Sequence, residues 1–251
     1  MTELIVEPLS RRPELGPMLW QLEGVWPMFL VKDPVSDFYY DAVERDFAEF
    51  ALVAYEADRP DVTVARALAI PFAFGPEVGR PELPDDGWDA AITWGVLDRD
   101  EGRRPTHVSA LEIAIRPEHQ GQGLAATMLA AMAGNARRLG FADLVAPVRP
   151  NAKPSEPHTP MSEYAYRTRA DGLPSDPWLR VHVRAGGKIV SVCPRAMTVA
   201  GSLREWRAWT GLPFDHTGDV VIPGGLVPAH CSVEHDHAVY VEPGVWVHHR
   251  L

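Results

Sequence analysis

The pattern of apolar and polar residues is clearest in the middle of the chain. Residues 106–115 form an apolar run that predicts a strand, which ends before Pro117 because proline cannot donate to a sheet ladder. Apolar residues then recur with helical spacing over 124–139, and Gly140 is placed to end that helix. Residues 143–148 predict a second strand. Strand, turn, helix and strand in this length predict a βαβ unit with a right-handed crossover.

The rest of the chain carries shorter patterns and no flexible linker that would divide it. Before the βαβ unit, the patterns predict a strand at 3–8, helical structure at 20–50, a β-hairpin from 50–55 and 62–74, and a short helix at 88–97. After it, proline, glycine and capping signals predict helices at 160–171, 177–185 and 203–210, and strands at 188–193, 226–233, 239–241 and 245–247.

Composition and charge narrow the class of protein. Of the 251 residues, 46% are hydrophobic and 23% are charged, which is typical of a folded globular chain and excludes a disordered one. The formal net charge of −10 disfavours nucleic acid as a partner and mildly favours a cationic ligand. The longest apolar run, 67–74, contains Pro71 and is too short to span a bilayer. We therefore expect a cytoplasmic protein with no membrane partner.

A glycine-bearing turn connects the first strand of the βαβ unit to its helix. The turn reads Gln120-Gly121-Gln122-Gly123-Leu124-Ala125. Free backbone N–H groups at a helix N-terminus bind anions, above all phosphates, and glycine lets the main chain approach a ligand closely. A plain tight turn is the alternative. The turn is neither a G-x-G-x-x-G fingerprint nor a P-loop.

The segment from Ile115 to Leu124, IRPEHQGQGL, resembles the acetyl-CoA signature of the GNAT superfamily of N-acetyltransferases. The resemblance implies an α/β fold, with a mixed, splayed sheet flanked by helices. It also implies that the backbone amides of 120–125 hold the CoA pyrophosphate and that pantetheine lies along the strand. The cofactor-binding residues so implied are Ile113, Ala114, Ile115, Gln120, Gly121, Gln122, Gly123, Leu124, Ala125 and Asn151.

A second stretch, residues 178–190, resembles the fourth helix of that family and the strand after it, with two departures. His182 stands where the family usually has a tyrosine that protonates the CoA thiolate, and Gly187 stands where an aromatic residue is usual. We therefore expect an acetyltransferase domain over 1–193, with surface insertions at about 75–105 and 152–175. Residues 194–251 are expected to form a β-rich C-terminal extension packed on it.

Transfer of an acyl group from a thioester to an amine requires a base, because an alkyl ammonium has a pKa of about 10.4. Glu112 is the first candidate base and His107 the second, since both lie on the strand expected to carry the thioester. They are five positions apart and face opposite sides of a regular strand, unless a β-bulge intervenes. His182 is the candidate acid. Each also has a purely structural interpretation, as a strand carboxylate, a surface histidine and a packed helix histidine.

Other polar clusters have weaker interpretations. His235 and His237, near Cys231, supply too few ligands for a metal site, so we expect no metal. The pair His248-His249 has no partner at a recognisable spacing. Residues 32–49 contain six acidic side chains that could attract a cationic acceptor. Six aromatic residues are expected to build the core and the acceptor wall: Trp20, Trp26, Phe29, Phe38, Tyr39 and Tyr40.

These observations predict an N-acetyltransferase that uses acetyl-CoA or a related acyl-CoA and acylates a primary amine of a small molecule. We expect direct attack in a ternary complex, since no activated nucleophile is evident. Two alternatives stay open: a CoA-binding interaction protein that has lost transfer, and a protein N-terminal or lysine acetyltransferase. Strands after residue 226 that could leave an exposed edge predict a homodimer formed by part of 226–249.

Overall fold

The computed structural model describes residues 3–22 and 24–251. In this part of the chain nine strands form one mixed sheet, in the order β1-β2-β3-β4-β5-β9-β8-β7, with β6 paired to the other edge of β9. The strands are β1 (Leu4–Pro8), β2 (Ala51–Glu56), β3 (Arg59–Phe72), β4 (His107–Ile115), β5 (Asp143–Val148), β6 (Lys188–Ser202), β7 (Gly218–Val220), β8 (Ala229–Ser232) and β9 (His237–Arg250).

Helices cover both faces of this sheet. They are α1 (Gly16–Leu19), α2 (Pro34–Asp46), α3 (Gly87–Asp100), α4 (Leu124–Arg138), α5 (Met161–Tyr164), α6 (Pro177–Arg184) and α7 (Leu203–Thr210). The predicted βαβ unit is confirmed as β4, α4 and β5, while the helix predicted at 160–171 is reduced to the four residues of α5. None of the described helices is long and apolar enough to cross a bilayer.

The parallel strands β4 and β5 pair over a very short length. Their only register partners are Val108 with Leu144 and Ser109 with Val145. Beyond Ser109 the two strands separate, so the sheet is splayed as predicted. On its other edge β4 pairs with β3 in antiparallel orientation. Leu68 of β3 faces Glu112 and the next residue, Ala69, faces Ala110, so Leu111 is an extra residue in β4. This is the β-bulge that would change the parity of the strand.

The C-terminal residues complete the sheet. The two short strands predicted at 239–241 and 245–247 are one strand, β9, which pairs with β5 and β8 on one edge and with β6 on the other. The boundary expected at residue 193 lies inside β6. Because both edges of β9 are occupied within the chain, the argument for a dimer from an unpaired edge does not apply to this strand. The homodimer itself stays a prediction.

The segment 75–105 contributes to the main core, which corrects its interpretation as a surface insertion. Within it, α3 packs on β3 and buries Ala91 and Ile92 completely or nearly so. Gly95 of α3 faces Ile70 of β3, and a Cβ built on Gly95 would lie 2.4 Å from Ile70 Cγ1. The helix therefore reaches the sheet as closely as a glycine permits.

Substitution of two helical glycines should test this close packing. We expect Gly95→Ala to lower the free energy of unfolding by about 1–3 kcal/mol, because the added methyl group overpacks the interface with Ile70. The matched control is Gly134→Ala in α4, where a Cβ meets no atom within 4 Å. That change should raise the free energy of unfolding by about 0.5–1 kcal/mol. Chemical denaturation measures both, and equal effects would contradict the packing argument.

Candidate active site

A cavity of about 960 Å³ opens where β4 and β5 separate. Its volume lies within the range of about 300–1,000 Å³ that is typical of small-molecule sites. One end is formed by the glycine turn, β4, β5 and α6, and the other by residues 20–22 and 25–31, α2, α3 and β9. The cavity therefore joins the predicted cofactor region to the predicted acceptor wall.

The glycine turn has the backbone geometry of an anion site. Gly121 and Gly123 have positive φ angles of 75° and 84°, and a Cβ on either would meet no atom within 4 Å. Helix α4 starts after Gly123 without a side-chain cap, and the N–H groups of Leu124 and Ala125, which donate to no backbone carbonyl of the described residues, are available to a ligand. The Gln120 amide donates to the Ile115 carbonyl at 3.0 Å, which ties the turn to the end of β4.

Eight of the ten predicted cofactor residues line the cavity: Ile113, Ile115, Gln120, Gly121, Gly123, Leu124, Ala125 and Asn151. The other two do not. Ala114 is fully buried opposite Arg66 in β3, and the exposed Gln122 donates from its side chain to the Glu118 carbonyl. These eight residues lie along β4, in the turn and after the end of β5, and their binding of the cofactor stays a prediction.

Glu112 lies on the cavity wall in a buried ion pair. Its Oε1 accepts from Arg66 Nε at 3.0 Å and from Trp26 Nε1 at 3.1 Å, and its Oε2 accepts from Arg66 Nη2 at 3.2 Å. Arg66 also donates to the Leu19 carbonyl and lies over the Trp20 ring. Both charged side chains are therefore held in one geometry.

Burial and pairing act on the protonation of Glu112 in opposite directions. Burial raises the pKa of the Glu112 carboxyl to about 7, and it lowers the pKa of Arg66 to about 10. The adjacent guanidinium favours the ionised carboxylate. Oε1 accepts two hydrogen bonds, from Arg66 and Trp26, whereas Oε2 accepts one, from Arg66. Oε2 therefore keeps one free lone pair that can accept a proton.

The bulge places His107 on the same face of the sheet as Glu112. Their register partners on β3 are Phe72 and Leu68, which are four residues apart and therefore share a face. His107 is nevertheless at the opposite end of β4 and does not line the cavity. Its ring packs against Phe74, with a centroid distance of 4.8 Å. The structure thus does not bring the two candidate bases together.

His182 lines the cavity from α6 and is 2% exposed. Asp176 caps this helix by accepting from the N–H groups of Trp178 and Leu179, and the Trp178 ring then meets His182 edge-on at 4.5 Å between centroids. His182 Nδ1 lies 2.9 Å from Nε2 of His249 on β9. Burial, aided by His249, lowers the pKa of His182 to about 3, so the ring is neutral at physiological pH.

Helix α2 supplies an acidic wall. Asp33 caps the helix by accepting from the Ser36 N–H at 2.7 Å, and Pro34 occupies the first turn. Asp37 and Asp41, one turn apart, both line the cavity beside Tyr40. Neither forms an ion pair with any residue in 3–22 or 24–251. Trp20, Trp26 and Trp88 complete this wall.

Three groups at the site were not assigned a role from the sequence. Arg66 lies within an apolar strand, and the sequence of that strand does not indicate that Glu112, 46 residues away, is its partner. His249 was assigned no partner, yet it contacts His182. Arg149 binds both oxygens of Glu242, at 2.9 and 3.0 Å, on the cavity wall. Each of these pairs joins residues that are far apart in the chain, so no local sequence pattern could have revealed it.

Comparison with known proteins identifies the class. The family model of the acetyltransferase (GNAT) family matches residues 24–157. An arginine N-acetyltransferase, avaD of Aspergillus versicolor, is 31% identical over 271 aligned positions that cover 96% of this chain and 92% of the relative. The chain therefore belongs to the GNAT acetyltransferase family, and the prediction of a GNAT enzyme is confirmed.

Solved structures with the same fold include two proteins that match almost the whole chain. The loading GNATL domain of CurA from Lyngbya majuscula has a TM-score of 0.65 at 17% identity and covers 99% of this chain and 98% of its own. The GphF GNAT-like decarboxylase, solved with isobutyryl-CoA, has a TM-score of 0.57 at 16% identity with the same coverage. At these identities the likeness concerns the fold, which extends through the C-terminal strands.

A charge placed in the glycine turn should oppose phosphate binding. Asn and Asp both tolerate the positive φ of Gly123 and have nearly the same shape, so Gly123→Asn is the control for Gly123→Asp. We expect the Asp variant to bind acetyl-CoA at least about tenfold more weakly than the Asn variant, a difference of about 1.4 kcal/mol. Calorimetry on folded variants measures this, and equal affinities would contradict a phosphate site at the turn.

Proposed function

We propose that this protein transfers the acetyl group of acetyl-CoA to the amine of a small molecule that carries a guanidinium group, with arginine as the first candidate. The observation that carries the proposal is the acidic wall of α2, where Asp37 and Asp41 line the cavity without a cationic partner among the described residues. The arginine N-acetyltransferase relative, at 31% identity, supports the same acceptor.

The charges of the cavity favour a cation at this wall in particular. Glu112 is neutralised by Arg66, and Glu242 is neutralised by Arg149. Asp37 and Asp41 are therefore the carboxylates that keep an unbalanced negative charge. Planar guanidinium groups bind carboxylates through paired hydrogen bonds and stack on aromatic rings, which the nearby tryptophans supply.

Acetyl-CoA is proposed to bind at the other end of the cavity. The N–H groups at the start of α4 would hold its pyrophosphate, and the separated edge of β4 at residues 113–115 would pair with its pantetheine arm. Bound acetyl-CoA supplies an activated thioester at the centre of the cavity.

The positions of the two cysteines favour direct attack of the amine on the thioester, because neither cysteine is placed to act as a nucleophile. Cys193 and Cys231 are buried and do not line the cavity. Burial raises the pKa of the Cys193 thiol to about 12, so it is not a thiolate at neutral pH. We propose Glu112 as the base that takes the first proton from the substrate ammonium through Oε2. His107 has no access to that proton from its place outside the cavity wall.

The substrate assignment is tested by release of free CoA thiol with a panel of amines. Citrulline is the decisive control, because it replaces the guanidinium of arginine with a neutral group of the same shape. We expect kcat/KM for arginine to exceed that for citrulline by at least about tenfold. The double variant Asp37→Asn/Asp41→Asn should lower kcat/KM for arginine by about tenfold and leave citrulline unchanged.

Glu49→Gln removes an exposed carboxylate outside the cavity and serves as the matched charge control. Equal turnover of arginine and citrulline would show that the guanidinium is not recognised. Acetyl-CoA binding without turnover of any amine would instead favour the CoA-binding interaction protein.

The role of Glu112 is tested by the pH dependence of Glu112→Gln. Since the base must be ionised, kcat/KM of the wild type should rise with pH through about 7, the raised pKa of Glu112. The Gln variant should lose about 10²-fold at pH 7 and much less at pH 9.5, where free amine is already present.

Glu118→Gln, an exposed carboxylate after β4, is the control for this change and should behave as the wild type. Equal losses at both pH values would assign Glu112 an orienting role. A loss confined to neutral pH in His107→Gln would make His107 the base instead.

A further inference from the structure

Two arginines of the described residues line the cavity, and they differ in how many of their nitrogens are occupied. Arg66 uses all three, in hydrogen bonds to Glu112 and to a backbone carbonyl. Arg149 donates from Nε to both oxygens of Glu242 and from Nη2 to the Gly224 carbonyl. Its Nη1 has no partner in the part of the chain that the structure describes, and it is not enclosed by protein. Arg149 therefore keeps a charged donor for a ligand.

A chain of hydrogen bonds holds the guanidinium of Arg149 in one orientation. Its partner Glu242, which is 2% exposed, also accepts from the Tyr240 hydroxyl at 2.6 Å. That hydroxyl in turn accepts from the Leu226 N–H at 2.8 Å. Because these contacts engage Nε and Nη2 of Arg149, a ligand that binds Nη1 meets a side chain that is already ordered.

Arg149 lies beside the gap between β4 and β5, where acetyl-CoA is proposed to bind. It directly follows β5, and β4 carries Glu112 on the other side of the gap. Counted from the register pair of Val108 with Leu144, Glu112 is four residues further along β4 and Arg149 is five residues beyond Leu144. Since the two strands are parallel, Glu112 and Arg149 flank the gap at a similar level.

A carboxylate on the acceptor needs a cationic partner in this cavity. Asp37 and Asp41 give the wall of α2 an unbalanced negative charge, which repels a second carboxylate. Hydrogen bonds from a guanidinium to a carboxylate are charge-assisted, and Nη1 of Arg149 can supply them. In an α-amino acid the carboxylate and the amine are bonded to the same carbon. A carboxylate held at Arg149 therefore places the amine at the gap.

We propose that Arg149 binds the α-carboxylate of the acceptor, so that the protein selects a free α-amino acid and acetylates its α-amine. This inference rests on the proposed function and names the substrate class and the nitrogen that reacts. In bound arginine the α-amine lies between Arg149 and Glu112, and the guanidinium extends to Asp37 and Asp41. An amine that carries a guanidinium but no carboxylate is a poor acceptor.

The transfer balances with the α-nitrogen as the nucleophile. Glu112 takes the first proton from the ammonium. The nitrogen then forms a C–N bond to the thioester carbonyl, the C–S bond breaks, and its electron pair leaves on sulfur. The second proton of the nitrogen ends on that sulfur, which gives CoA thiol and the Nα-acetylated amino acid. Arg149 takes no part in the proton transfer and determines specificity.

Three substrates separate the carboxylate from the guanidinium. Arginine carries both groups, argininamide replaces the carboxylate with a neutral amide of the same shape, and citrulline replaces the guanidinium. At about pH 9.5, where free amine is present in all three, we expect kcat/KM of the wild type for arginine to exceed that for argininamide at least about tenfold. Fragmentation mass spectrometry of the product should locate the acetyl group on the α-nitrogen.

Arg149→Lys tests the assigned residue. Lysine keeps a positive charge beside Glu242, but its nitrogen ends short of the position of Nη1. We expect kcat/KM for arginine to fall at least about tenfold, and kcat/KM for argininamide to stay within about threefold of the wild type. Each substrate is compared between two proteins, so the different basicity of the two amines cancels.

Two further variants control for the ion pair and for the substitution itself. Arg149→Gln/Glu242→Gln removes the pair without leaving an unpaired buried charge, and it should show the same selective loss for arginine. Arg195→Lys changes an exposed arginine outside the cavity and should behave as the wild type. If neither variant at position 149 folds, the preference of the wild type for arginine over argininamide decides.

Three results would overturn the inference: equal losses for arginine and argininamide in Arg149→Lys, unchanged turnover of arginine in both variants at position 149, or an acetyl group on the guanidinium. Citrulline distinguishes this failure from that of the proposed function. Equal turnover of arginine and citrulline by the wild type would contradict the guanidinium site, whereas a loss of citrulline turnover in Arg149→Lys would still support the carboxylate site.

Calorimetry gives a readout that does not require turnover. With CoA present, we expect arginine to bind the wild type at least about tenfold more tightly than argininamide, and Arg149→Lys to remove this difference. Equal affinities of the wild type for the two ligands, or no detectable binding of arginine, would overturn the carboxylate site even if no amine is acetylated.

Discussion

The site depends on the separation of two parallel strands. β4 and β5 share only two register pairs, and beyond Ser109 each leaves backbone groups that the other does not satisfy. In a continuous sheet such a gap would be costly, because buried polar groups need partners. Here the gap is the opening of the cavity, and the free edge of β4 is available to an extended ligand. The βαβ crossover places the N-terminus of α4 at the same opening.

The ion pair between Arg66 and Glu112 is buried on the wall of the cavity. Loss of one partner from a buried pair of this kind typically costs about 3–5 kcal/mol, because the other charge stays buried without compensation. The pair also joins β3 and β4 across the bulge and forms hydrogen bonds with the Leu19 carbonyl and the Trp26 ring. Glu112 can therefore act as a base only if it stays within this network, which is why its Oε2 lone pair is the relevant one.

The C-terminal strand gives the fold its second distinctive feature. β9 lies beside β5, places Glu242 on the cavity wall and brings His249 into contact with His182. β9 thereby brings His249 into contact with helix α6, which ends more than fifty positions before β9 begins. His249 fills the space beside Gly187, and its contact with His182 replaces the aromatic residue and the tyrosine that the family pattern leads one to expect.

The local structure and the family could be predicted from the sequence alone. The βαβ unit, the glycine turn, the capped helix α6 and the candidates Glu112 and His182 all follow from periodicity, capping and a short signature, which depend on neighbouring residues. The bulge at Leu111, the partner of Glu112 and the partner of His182 became visible only in the folded chain. The fold also joined two predicted strands into β9. The partners of Glu112 and His182 are 46 and 67 positions away in the chain, and no local pattern encodes which distant side chain fills a space or balances a buried charge.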